Sequence, residues 1–169
     1  MKALITISVL IIIFLCGCNN LEDKTIWDFS NSFTIKSSTS GYYLSNSFDT
    51  ITNSVNVTQV ANKDLSNGVW LFEQVDKNMF FIINKENNLF LDIDDISKGH
   101  WFLVLREKNY KDSQKWFVHK YANGTYKIIN RETRLVLDTK VHDPRKKPGI
   151  RVWKHSNHPN QYWLFEEIN

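Results

Sequence analysis

Beyond an apolar stretch at the N-terminus, the chain alternates short runs of β-branched and aromatic residues with polar clusters rich in Ser, Asn, Glu and Gly. No segment of the remainder sustains the apolar spacing of an amphipathic helix, and short runs bounded by turn residues predict strands. A strand pair around a small turn recurs. Residues 33–44 read FTIKSSTSGYYL, 80–91 read FFIINKENNLFL and 126–137 read YKIINRETRLVL. In each, an Ile (Ile35, Ile82, Ile128) precedes a Leu (Leu44, Leu91, Leu137) by nine positions.

A second landmark follows each pair: Trp70-Leu71-Phe72, Trp116-Phe117-Val118 and Trp163-Leu164-Phe165. The Leu-to-Trp separation is 26, 25 and 26 residues. Two landmarks thus keep register three times at a period of about 46 residues, and a fixed period of this length marks a repeat architecture. One such unit is too small to bury a core of its own. Three units closed about a pseudo-threefold axis can do so, as a barrel capped by hairpins. The expectation is therefore an all-β protein, a β-trefoil, with the repeated Ile, Leu and Trp residues as its core.

The N-terminal run from Ala3 to Leu15 follows a single Lys2 and is shorter than the roughly 20 residues of a membrane-spanning helix. A positive start, a short apolar core and small residues at its end read as a secretory signal. The end, Leu15-Cys16-Gly17-Cys18, resembles the bacterial lipobox, which implies lipid on Cys18. Plain secretion and an uncleaved anchor are the alternatives. The expected organisation is a signal at 1–18, a polar spacer at 19–31 and the trefoil domain at 32–169. The protein is then exported, and held in the cell envelope by its lipid or else secreted.

Composition changes this picture little. With 42% hydrophobic and 23% charged residues the chain is globular rather than disordered. A net charge of +3 is too small to argue for nucleic acid. The basic residues Lys140, Arg145, Lys146, Lys147, Arg151 and Lys154 do cluster, against one acid, Asp143, as a basic rim or a solvated loop. Both cysteines lie in the N-terminal segment, so the domain has no disulfide and no thiol nucleophile.

The third copy carries further chemistry: Leu137-Asp138-Thr139, a loop with Gly149, Arg151-Val152-Trp153, and Asn160-Gln161-Tyr162-Trp163. This resembles the ricin B-type lectin repeat, over nearly all of the chain after the spacer. The resemblance implies a glycan site. In it Asp138 accepts hydrogen bonds from sugar hydroxyls, Trp153 stacks on the ring, Asn160 contacts a hydroxyl and Gln161 braces the site. A sugar offers a face of C–H groups and a fringe of hydroxyls, which an aromatic plane and a carboxylate with an amide match. Arg151 stands where the family has Gln. It either faces solvent or turns a galactose-type site toward acidic sugars.

The other copies depart from the pattern. The second keeps Asp92 and Gln114 but places Leu105 at the expected platform position, so it is a weaker candidate; Trp101, Phe102 or Tyr110 could supply a ring. The first has Ser45 for the Asp, Val60 for the platform and Gly68 for the Gln. One competent site is expected, in the third copy. His142, His155 and His158 lack an acidic partner at a metal-binding spacing, Asp92, Asp94 and Asp95 read as the start of a turn, and no nucleophile or phosphate-loop motif is present. The expectation is a glycan-binding surface lectin without cofactor, metal or catalytic activity. The alternative is a protein-interaction trefoil or the receptor-binding subunit of a multi-component toxin.

Overall fold

A computed structural model describes residues 29–96, 100–140 and 149–168. The predicted signal, Cys18 and most of the spacer lie outside the described residues, as does the central part of the basic cluster. The described residues form twelve strands: β1 Ser32–Ser37, β2 Tyr43–Asp49, β3 Ser54–Val60, β4 Val69–Asp76, β5 Met79–Asn84, β6 Phe90–Ile96, β7 His100–Arg106, β8 Lys115–Lys120, β9 Tyr126–Asn130, β10 Val136–Lys140, β11 Gly149–Trp153 and β12 Trp163–Ile168. Short 3₁₀ turns at Asp112–Gln114 and Pro159–Gln161 lead into β8 and β12.

Antiparallel pairing runs β1–β4, β4–β5, β5–β8, β8–β9, β9–β12 and back to β1, which closes a six-stranded barrel. The remaining strands pair as three hairpins, β2–β3, β6–β7 and β10–β11. β7 pairs with β3 and packs against β11, so the hairpins meet one another as a cap. Four strands per repeat, two in the barrel and two in the cap, define the β-trefoil, and closure leaves the barrel without an exposed edge.

The repeated residues form the core, as the periodicity predicts. Ile35, Ile82, Ile128, Leu44, Leu91, Leu137, Trp70, Trp116 and Trp163 are all fully buried. A buried indole N–H needs an acceptor, and each tryptophan finds the same one in its own repeat. Trp70, Trp116 and Trp163 donate to the carbonyls of Leu44, Leu91 and Leu137 at 3.2, 2.9 and 3.1 Å. The near-constant Leu-to-Trp spacing places the same donor and acceptor together in every repeat. A cluster of rings, Phe33, Phe72, Phe80 and Phe165, fills the barrel beside this layer, and Phe29 stacks on Phe72 at 4.5 Å.

The turn inside each repeat is also shared. Gly41, Asn88 and Arg134 have φ of 73°, 59° and 60°, and their N–H groups donate to the carbonyls of Ser37, Asn84 and Asn130. In the third copy the Asn130 side-chain oxygen also accepts the N–H groups of Glu132 and Thr133, both at 3.1 Å. This local bonding is what Asn and Ser contribute to a tight turn.

Candidate functional site

The β10–β11 hairpin positions the third-copy residues. Its register pairs Leu137 with Val152, Asp138 with Arg151 and Val136 with Trp153. Leu137 and Val152 point into the core. Asp138 is 3% exposed, whereas the Trp153 indole is 51% exposed. Arg151 joins them: its Nε donates to Asp138 Oδ1 at 2.8 Å, and its guanidinium carbon lies 4.1 Å from the Trp153 ring centroid. Arginine favours this double engagement, with a carboxylate at its edge and an aromatic plane on its face. The three side chains form a clasp of carboxylate, guanidinium and indole along one hairpin.

The segment after β11 returns through the Pro159–Gln161 turn, which packs against β10. Gln161 is fully buried and braces this segment: its Nε2 donates to the Lys154 carbonyl at 2.8 Å and its Oε1 accepts the Ser156 N–H at 2.9 Å. Asn160, beside it, is half-buried and makes no side-chain hydrogen bond to Asp138, Arg151 or Trp153 among the described residues. The hairpin thus brings Asp138, Arg151 and Trp153 together, and Gln161 acts on them through the loop.

The second copy repeats the brace. Gln114 Nε2 donates to the Glu107 carbonyl and its Oε1 accepts the Asn109 N–H, both at 2.9 Å. Asp92 is buried and already used: Oδ1 accepts the Ile93 N–H at 2.7 Å and Oδ2 accepts from Asn109 Nδ2 at 3.3 Å. Asn109 escapes a sequence reading because it precedes the Gln motif on an irregular loop. Its Asn-x-Lys spacing, with Oδ1 accepting the Lys111 N–H, is the signal that could have found it.

The platform position of this copy needs correction. Leu105 pairs with Leu91 and is 4% exposed, so it belongs to the core. The register counterpart of Trp153 is Arg106, which pairs with Phe90 and binds Asp94 at 2.6 Å. The second copy still lacks a ring there. Phe102 and Tyr110 are exposed, and Tyr110 lies edge-on to Phe81.

In the first copy Ser45 is buried and donates to Asp64 Oδ2 at 3.2 Å. Asp64 also accepts the N–H groups of Ser66 and Asn67, and these bonds, that of Asn67 first, hold its carboxyl below the usual carboxylate range. Gly68 sits where the other copies have Gln. A Cβ there would lie 2.7 Å from the Asp64 carbonyl oxygen. The turn has closed into the space the Gln side chain needs. Among the described residues, no group of His, Cys, Asp and Glu side chains converges to hold a metal ion.

The sequence matches no protein-family model and no curated protein. Solved structures resemble it closely in fold. A ricin B-like lectin of Macrolepiota procera, solved with lactose, aligns with TM-score 0.63 and 14% identity over 80% of this chain and 94% of its own. A Polyporus squamosus lectin bound to a Neu5Ac-containing influenza-binding epitope aligns with TM-score 0.68 and 20% identity over 81% of this chain. A mosquitocidal holotoxin aligns with TM-score 0.71 and 24% identity over 82% of this chain. The chain spans 49% of the Polyporus lectin and 17% of the holotoxin. The fold is that of a β-trefoil, shared with ricin B-like lectins.

Proposed function

We propose that the protein is a carbohydrate-binding lectin without catalytic activity, and that its glycan site is the Asp138–Arg151–Trp153 clasp with Asn160 alongside. The observation that carries this reading is an exposed indole and a buried carboxylate on one hairpin, bridged by a guanidinium. The guanidinium covers part of the indole, and the half of it that stays exposed offers a stacking surface. Because Asp138 Oδ1 is held by Arg151, the group presented to a ligand is the guanidinium edge, and its N–H groups favour acceptors. Carboxylated or sulfated sugars fit that edge better than neutral galactosides. The lactose and Neu5Ac epitopes held by the two lectins of the same fold support the ligand class.

A single open sugar site binds weakly, with Kd in roughly the millimolar range. Lipid on Cys18, in an exported protein, would crowd many copies on a surface and supply avidity. The test is a broad glycan array probed with the full chain in mild detergent, beside Arg151→Gln and Trp153→Ala. Loss of an acidic-glycan signal in both variants supports the site. Silence toward every glycan, acidic ones included, overturns it.

A second reading is favoured by two observations: the likeness to a holotoxin, and the first and second copies, whose carboxylates or their replacements are bonded internally. In this reading the trefoil is a receptor-binding or protein-docking subunit. Recovery of one specific protein partner, unaffected by Trp153→Ala, would favour it over the lectin.

A further inference from the structure

Away from the clasp, an open cleft of about 560 Å³ lies between the β1–β2 turn, the β8–β9 turn and the Pro159–Gln161 turn. Its size falls within the roughly 300–1,000 Å³ of small-ligand sites. Tyr121 and Tyr162 line it, with centroids 5.2 Å apart and planes at 75°. Ser38, Asn123, Thr125 and Asn157 supply hydroxyls and amides, and no charged side chain stands in the wall. Asn123 Oδ1 accepts both the N–H and the hydroxyl of Thr125, so the group it can offer a ligand is its NH₂. None of these residues belongs to the Asp138 clasp.

Below the rings lies a feature the fold does not require. Lys127, on β9, is 0% exposed. Its ammonium stands 4.6 Å from the Tyr162 centroid and 5.6 Å from that of Tyr121. It donates to the Ser156 carbonyl at 2.7 Å and lies 3.2 Å from His155 Nε2. No carboxylate lies within salt-bridge distance of it among the described residues. The same barrel position carries Thr34 in the first repeat and Phe81 in the second, next to the shared Ile35 and Ile82. A buried cation without a counter-ion is destabilising. Where a sequence departs from its own repeat at such a cost, a functional site is the expected place. Here the ammonium pins both tyrosines from below and ties down the loop that carries Asn157, which preorganises the cleft.

We propose that this cleft is a second carbohydrate subsite, which takes a neutral sugar ring against Tyr121 and Tyr162 with its hydroxyls on Asn123 and Asn157. Aromatic faces with uncharged amides and hydroxyls match a sugar's C–H face and hydroxyl fringe. The subsite takes its ligand class from the lectin reading, but it stands on separate residues and a separate cleft.

The test is a titration of ¹⁵N-labelled full chain, in mild detergent, with lactose, N,N′-diacetylchitobiose, mannotriose and sialyllactose. The readouts are the Asn123 and Asn157 side-chain amides for the cleft and the Trp153 indole N–H for the clasp. Tyr121 is 37% exposed, so Tyr121→Ala spares the core. The expected result is that at least one neutral sugar shifts both amides, still does so in Trp153→Ala, and binds there at least tenfold more weakly in Tyr121→Ala. Shifts confined to the Trp153 indole overturn the cleft and leave the clasp standing. Amide shifts unaltered by Tyr121→Ala also overturn it, and no shift at any of the three groups with any sugar counts against both sites.

Discussion

At the scale of single residues, the consequential departure from the lectin pattern is Arg151. Its bond to Asp138 neutralises a carboxylate that is almost wholly buried, and deleting one partner of such a pair leaves an uncompensated charge. Arg151→Ala is therefore a poor probe, because lost stability and lost binding would be confounded. Arg151→Gln restores the amide of the family pattern, can still donate a hydrogen bond to Asp138, and uncovers the Trp153 face. The expected outcome is about a tenfold shift in preference from sialyllactose toward lactose, read as the ratio of the two Kd values by titration calorimetry. An unchanged ratio would mean that the guanidinium does not select the ligand. The residue types of the proposed site were legible in the sequence, since the resemblance to the ricin B-type repeat singles out Asp138, Trp153 and Gln161. The clasp was not, because it depends on the cross-strand pairing of residues 138 and 151, and register is a property of the folded hairpin.

At the scale of elements, the same turn is built three times from different residues, and its left-handed position tests how well each suits it. Gly41 and Asn88 adopt positive φ readily, whereas Arg134 has a Cβ that crowds the backbone there. Its guanidinium lies 5.3 Å from the Phe117 ring, a contact that offsets part of this strain. Arg134→Gly is expected to stabilise the domain by about 0.5–1 kcal/mol, a rise in Tm of about 2–4 °C by differential scanning calorimetry. A fall in Tm would show that the Phe117 contact outweighs the strain. Element existence and type were readable because the landmarks repeat. The placement of Leu105 shows where counting fails. The hairpin of the second copy is one residue shorter than that of the third, with Leu91 opposite Leu105 where Leu137 is opposite Val152, so a platform position does not transfer by counting from the Leu, and pairing puts Arg106, not Leu105, opposite Phe90.

At the scale of the whole molecule, the trefoil is symmetric in its core and asymmetric in its loops, and the asymmetry is built into the packing. The three Trp–Leu bonds and the buried Ile, Leu and Trp layers are common to all copies, which is why one third of the chain predicts the other two. The brace is not common. Gln114 and Gln161 hold their loops open from within, whereas Gly68 lets the Asp64 turn close onto the barrel, with the Gly68 N–H donating to the Asp64 carbonyl at 3.0 Å. It follows that restoring the repeat pattern here should harm the fold. A Cβ at residue 68 would meet the Asp64 oxygen at 2.7 Å and the Leu44 oxygen at 3.1 Å, and both are backbone atoms that cannot swing away. The Leu44 carbonyl is also the acceptor for the Trp70 indole, so displacing it loosens the core bond of the first repeat. Gly68→Ala is expected to lower stability by about 2–3 kcal/mol in urea unfolding, and Gly68→Gln by at least as much. If Gly68→Gln instead matched or exceeded the parent, the first loop would have reopened around a brace like those of the other copies, and its closed state would be a choice of sequence rather than of packing.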